Sequence, residues 1–308
     1  MNLIIRLTYF FLIVQHLLYA NVEHHLKKIS NYHPIHRYKN IDYVYMINLD
    51  QRPEKFLRSL NQLEPFGVYP YRFSAVNGWE LPLNVINDVG LKYTPLMLGK
   101  YIGTCYPYDL QGKPRHELIS QVGRAYFCHC MSRGAIGIVL SHLSVLQDAW
   151  EKGYQRIWVM EDDIEVIDNP KKLAKLIREL DRQVGKNEWD ILFTDQDTKN
   201  VKGEYVLCLT ARRRPDFFPK RPNDYSLRKK VGKNFIQLGC RYGAYSMIIN
   251  RSGIQKLLHH YKKHAIFFPY DMEYFLPPTI KLFTVRKDIV GSLANAISDN
   301  GVPNYARR

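Results

Sequence analysis

Residues Ile157-Trp158-Val159-Met160 form an unbroken apolar run that ends abruptly on Glu161-Asp162-Asp163. An apolar run without alternation marks a central strand buried on both faces, so the fold must supply a layer on each side of it. Three carboxylates directly after such a strand do not follow from packing, since burying them unpaired would cost several kcal/mol each. Either they face solvent at the strand end or a cation offsets their charge. Mg²⁺ and Mn²⁺ prefer oxygen ligands and are typically held by one or two carboxylates completed by substrate phosphates.

The rest of the chain supplies the layers. Tyr43 to Ile47 is a β-rich apolar run ending at Asn48, and Pro53 suits the first position of a helix closing near Gly67. Tyr71 to Val76 reads as a second strand, halted by the turn dipeptide Asn77-Gly78. Residues 84–133 read as irregular, an insertion or lid rich in Tyr, Gly and Pro. From Ile138 to Trp150 apolar residues recur at helical spacing, and Gly153 offers a stop. Asn169-Pro170 opens another helix reaching about Arg182. Trp189 to Phe193 and Tyr245 to Ile249 read as further strands, with a helix after the second, capped by Asn250 or Ser252. This alternation predicts one α/β domain over residues 21–308, with a mainly parallel, doubly wound sheet and helices on both faces. In open α/β sheets ligands bind beyond the carboxyl ends of the strands, which is where the acid triplet falls.

Charge narrows the partners. Lysine and arginine exceed aspartate and glutamate by 44 to 29, a net +15, which favours polyanions such as nucleotide phosphates, acidic glycans or lipid heads. Nucleic acid is disfavoured, because no zinc-finger spacing, aromatic RNA-binding signature or basic heptad occurs. Residues 199–235 read as a second loop or insertion; within it, 212–233 carry nine Lys or Arg against two Asp. That stretch is either a solvated loop or a flap over an anionic ligand.

At the N-terminus, Arg6 precedes an apolar run from Leu7 to Leu18, and Ala20 suits a cleavage site. A bilayer span needs about 20 apolar residues, so residues 1–20 read as a signal peptide, with a short membrane anchor as the alternative. Cysteines stand at 105, 128, 130, 208 and 240; export would permit disulfides, with pairing not readable and at least one thiol left over.

Several motifs together resemble glycosyltransferase family 25, which contains lipooligosaccharide glycosyltransferases and collagen galactosyltransferases. They are Ile47-Asn48-Leu49-Asp50-Gln51-Arg52, Ala75-Val76-Asn77-Gly78, the run Gly134 to His142, Met160-Glu161-Asp162-Asp163-Ile164, Gly243-Ala244-Tyr245, Gly253 to Leu258, and Pro269-Tyr270-Asp271. Ala135 departs from the family's glutamate, and Asn77 from its aspartate. The resemblance implies a GT-A-like fold, a UDP-sugar donor with galactose as one candidate sugar, and a glycan or protein acceptor. It further implies Mn²⁺ or Mg²⁺ and inversion at the anomeric carbon. Asp163 is then the expected metal ligand, with Glu161. Asn48, Arg52, Asn77, Gly78, His142, Glu161 and Asp162 are expected at the donor, although His142 also reads as a core histidine. Inversion requires a base for the acceptor hydroxyl; Asp271 leads, with Glu273 and Asp195 as rivals. Asp271 reads equally as an N-cap for a helix starting at Met272.

The signal-like leader favours the secretory pathway or periplasm, and the cytoplasm if it is not used. Two rival readings stand: a non-catalytic nucleotide- or glycan-binding member of the same fold, and a basic protein that attaches to anionic polymers. The leader makes a direct prediction. Mass spectrometry of the protein from its native host should find a chain lacking roughly the first 20 residues, whereas an intact Met1 in a soluble cytosolic fraction would refute export.

Overall fold

The computed structural model describes residues 21–30, 34–200, 202–208, 214–217, 225–294, 296 and 298–300. The expected leader and much of the basic stretch lie outside these. Strand β1 (Tyr43–Asn48) leads into helix α1 (Pro53–Leu63) and strand β2 (Tyr71–Ser74). Then come α2 (Leu83–Val89) and four short strands, β3 (Leu91–Lys92), β4 (Ile102–Cys105), β5 (Arg115–Leu118) and β6 (Ala125–Cys128). Helix α3 (Arg133–Glu151) delivers the chain to β7 (Arg156–Glu161), followed by β8 (Ile164–Val166) and α4 (Leu173–Val184). The remainder is β9 (Ile191–Phe193), β10 (Arg228–Val231), β11 (Phe235–Leu238), β12 (Ser246–Asn250), α5 (Arg251–His264), α6 (Tyr270–Glu273), β13 (Leu282–Val285) and β14 (Val290–Ser292).

The main sheet has the order β10-β11-β13-β9-β12-β7-β1-β2. It is mixed. The β2, β1 and β7 strands pair in parallel, as do β9 and β13, but β12 is inserted antiparallel between β7 and β9. The α/β class stands, and the departures from the expected sheet are β12 and β11, each antiparallel to both of its neighbours. Alternate residues of each central strand enter opposite cores. Tyr45, Ile47, Val159 and Met247 pack with α3 and α5, while Val44, Met46, Trp158 and Ile248 pack with α1 and α4. Two-sided burial is why these strands carry continuous apolar runs. Helix α4 shows the complementary pattern, burying Leu173, Ala174, Ile177 and Leu180 on one stripe.

Two segments differ from the expectation of irregular chain. Residues 84–133 hold α2 and a second sheet of order β3-β6-β4-β5, and Tyr106, Tyr126 and Phe127 extend the core. Strands of two to four residues are too short to display a readable period. Within 199–235, Arg228–Val231 form the edge strand β10, paired antiparallel with β11. The charges Lys229 and Lys230 therefore belong to an exposed sheet edge, where lysines discourage pairing with another chain. Among the described residues no helix is long and apolar enough to cross a membrane.

The 76–78 turn meets the first turns of α3 backbone to backbone. A Cβ on Gly137 would lie 2.4 Å from the Val76 carbonyl and 2.5 Å from the Gly78 nitrogen, and one on Gly78 would lie 1.8 Å from the Arg133 carbonyl. Neither position can hold a side chain without separating the two segments. Gly137→Ala should lower the unfolding free energy in urea by about 1–3 kcal/mol. Gly99→Ala, where the nearest atom would be 3.9 Å away, should change it by less than about 0.5 kcal/mol.

Candidate active site

A cleft of about 660 Å³, partly open to solvent, lies beyond the carboxyl ends of β1 and β7. The 75–79 turn, the first turns of α3 and residues 298–300 complete its walls.

The three acids leave β7 in different surroundings. Glu161 Oε1 lies 3.0 Å from His142 Nε2 and accepts from it when that nitrogen carries the proton. His142 is 1% exposed and stacks on Tyr270 with ring centroids 4.0 Å apart. Asp162 accepts 2.6 Å from the Asn48 amide, while its backbone carbonyl accepts from the Ser59 hydroxyl. Burial, more than any neighbour, pushes the Asp162 carboxyl up. Asp163 has a buried Oδ1 with no hydrogen-bond partner among the described residues. Burial, reinforced by the charges of Glu161 and Asp162, pushes its pKa up to about 6.

Lys55 and Arg52 from α1 and its approach bring positive charge to this edge. Lys55 Nζ lies 2.7 Å from one oxygen of Asp299, and Arg52 pairs with the other. The Asp299 backbone carbonyl accepts from the Trp79 indole at 3.3 Å, and the Asn300 carbonyl accepts from Ser132 at 3.1 Å. Sequence reasoning missed Lys55, Trp79, Asp299 and Asn300. A lysine one turn after Arg52 was the available signal for the first; nothing local marks the contact between residues 298–300 and α1.

Asn77 lines the cleft, its Oδ1 accepting from the Trp79 amide while its Nδ2 is buried without a partner among the described residues. Gly78 admits the close approach of the turn to α3 and also lines the cleft. Asn48 does not face a ligand. It is 1% exposed, its amide donates to Asp162 and to the Arg52 carbonyl, and its Oδ1 accepts from Arg72. With both amide hydrogens used internally, it is a strut between β1 and the acid triplet.

The base candidates differ chiefly in how far their oxygens are already spent on neighbours. Asp271 lies in the first turn of α6, whose N-cap is Pro269, so the capping role does not apply. It is half-buried, and its Oδ2 accepts from the Gly243 amide at 3.2 Å. Gly243 holds φ at +89°, a conformation that strains any side chain. Burial raises the Asp271 pKa, and the charge of Glu161 raises it further. Asp271 stands outside the cleft wall but adjoins it through Tyr270, His142 and Glu161 in sequence. Glu273 is sealed. It is 0% exposed, pairs with Arg214 and His260, and accepts from the Phe267 and Phe268 amides, which leaves no route to an acceptor. Asp195, like Asp271, stands outside the cleft wall; Arg241 holds its Oδ2 at 2.8 Å, and its Oδ1 is buried without a partner among the described residues.

No three His, Cys, Asp or Glu side chains among the described residues converge as a ready ligand set. The unpartnered oxygen of Asp163 beside Glu161 nevertheless fits a divalent cation held by one or two carboxylates, with phosphate and water completing the shell. Ala135 is buried in the first turn of α3 and outside the cleft wall, and its amide donates to the Ser132 cap. A glutamate at that position would complete a capping box with Ser132.

The model of "Glycosyltransferase family 25 (LPS biosynthesis protein)" matches residues 41–273, from just before β1 to the end of α6, and the chain belongs to this family. It is similar to "Glycosyltransferase 25 family member" of Aedes aegypti, 26% identical over 177 residues, 56% of this chain and 25% of that one. It is also similar to "Inactive glycosyltransferase 25 family member 3" of Mus musculus, 24% identical over 188 residues, 61% of this chain and 26% of that one. The Drosophila melanogaster "Glycosyltransferase 25 family member" is 23% identical over 219 residues, 71% of this chain and 28% of that one. The chain thus spans about a quarter of the length of the curated relatives it matches.

The acid triplet has a stability signature. Asp163, whose native pKa lies above its unfolded value near 4, destabilises the fold once ionised. The penalty is absent below pH ~4 and fully developed above the native value. Asp163→Asn in EDTA should therefore raise urea stability at pH 7.5 by about 1–3 kcal/mol and leave it nearly unchanged at pH ~4. An equal gain at both pH values would refute the assignment.

Proposed function

We propose that this chain is a metal-dependent inverting glycosyltransferase that moves a sugar from a UDP-sugar to a hydroxyl of a glycan or protein. The observation that carries the reading is the unpartnered, charge-crowded Asp163 carboxylate in the cleft at the end of β7. Asp163 with Glu161 would hold Mn²⁺ or Mg²⁺, and the ion would neutralise charge on the departing diphosphate. Asn77 Nδ2 offers a free donor to a phosphate or sugar oxygen, and Lys55 and Arg52 supply positive charge at the same edge. Asp271 takes the proton of the attacking hydroxyl. The Gly243 amide holds one of its oxygens in place, and the raised pKa makes it a stronger base than a free carboxylate. His142, fixed between Glu161 and Tyr270, sets the orientation of Glu161. The leader-like residues 1–20 support work in the secretory pathway or periplasm.

A second reading, donor binding without transfer, draws on relatives whose names call them inactive. Against it stand the intact Glu161, Asp162, Asp163 and Asp271, and the position of Ala135 outside the cleft wall. Release of free UDP from a panel of UDP-sugars, with and without Mn²⁺, separates the two: binding without release supports the second.

With the productive donor and acceptor, Asp163→Ala should abolish metal-dependent release. Asp271→Asn should keep donor affinity within about threefold and lose transfer by roughly two orders of magnitude or more. Near-normal transfer by Asp271→Asn would remove Asp271 as the base.

A further inference from the structure

Four of the five cysteines fall into two contacting pairs. Cys128 and Cys130 have sulfurs 3.1 Å apart, and the side chains of Cys208 and Cys240 adjoin one another. All five are free thiols in this structure, and Cys105 is left over, close to Glu117. The two pairs differ in what a covalent bond would do. Cys128 and Cys130 flank one residue, so joining them closes a minimal loop, and Cys130 is exposed. Cys208 and Cys240 are both 0% exposed and come from segments distant in sequence, one after β9 and the other between β11 and β12. A cross-link there closes a long loop, the case in which a disulfide restricts the unfolded chain most.

We propose that Cys208 and Cys240 form a structural disulfide when the protein matures in an oxidising compartment. The surroundings of Cys240 are already built for a fixed sulfur. Its thiol donates to the Tyr225 carbonyl at 3.1 Å, and its own carbonyl accepts from Arg228 at 2.6 Å. The next residue, Arg241, holds Asp195, and two residues further the Gly243 amide holds Asp271. The bond therefore fastens the chain after β9 to the connector that positions Asp271. The neighbouring Cys208 side chain also favours the thiolate of Cys240.

The oxidant is a small or protein disulfide such as oxidised glutathione. During folding, the Cys240 thiolate attacks one sulfur of glutathione disulfide, releasing one glutathione thiolate and leaving a mixed disulfide. The Cys208 thiolate then attacks the Cys240 sulfur and releases the second glutathione. Two thiol protons are lost, one S–S bond forms, and one glutathione disulfide is reduced to two glutathiones.

The test uses the full chain refolded in an oxidising glutathione buffer, alkylated, and mapped by peptide mass spectrometry without reduction. One cross-linked peptide pair containing Cys208 and Cys240 is expected, with Cys105 alkylated. Dithiothreitol should lower Tm by roughly 5–10 °C. Cys208→Ser and Cys240→Ser should each show the reduced Tm and no further fall with dithiothreitol. Recovery of Cys208 and Cys240 as alkylated thiols, or of either bonded to Cys105, Cys128 or Cys130, overturns the proposal. So does a wild-type Tm that dithiothreitol leaves unmoved, which keeps the test decisive if a serine variant fails to fold.

Discussion

Three carboxylates crowd the end of a strand that is buried on both faces, and much of the surrounding structure answers their desolvation and mutual repulsion. Asn48 gives an amide hydrogen to Asp162 and thereby ties the end of β1 to the end of β7. Ser59 from α1 secures the Asp162 backbone, Lys55 brings positive charge, and His142 from α3 meets Glu161. Strand β1 and helices α1 and α3 thus all contribute groups to the same edge. Asp163 is the acid left without a hydrogen bond on its inner oxygen, and that unmet demand is the observation behind the proposed cation.

The antiparallel direction of β12 decides what stands opposite the acids. In a fully parallel sheet the carboxyl end of β12 would lie beside that of β7, with Asn250 and α5 at the site. Here the amino end lies there instead, and Glu161 donates its backbone amide to Tyr245. The connector Arg241 to Tyr245 therefore runs beside Glu161, and Gly243 holds Asp271 next to the cleft wall but outside it. Close to it, the Arg214–Glu273 pair is wholly buried and satisfied by His260 and backbone groups. Removing either partner would leave an unpaired buried charge, so its role is to lock α6 against α5.

Local sequence was a good guide where pattern and structure share a period. The two-sided strands β1, β7 and β9, the amphipathic α4, the body of α3 and the turn at Asn77-Gly78 were all legible, while the first turn of α3, from Arg133, was not. So was the position of the acid triplet at a strand's carboxyl end. The short strands β3 to β6 were not, because two to four residues carry too little alternation to register. Asn48 and Glu273 were misread for another reason. Residue type and spacing mark a group as capable of chemistry, but whether its hydrogen-bonding capacity is free or spent internally depends on neighbours far along the chain.

By itself, then, the sequence determined the α/β layering and the placement of the acids, since both follow from apolar periodicity and from what a buried strand can end on. Strand direction, the second sheet, the pairing of Arg52 and Lys55 with Asp299, and the separation of Asp271 from Glu273 were decided only by the tertiary structure. Each depends on contacts between segments remote in sequence, such as α1 with residues 298–300, and no local pattern encodes which remote segment will supply the neighbour.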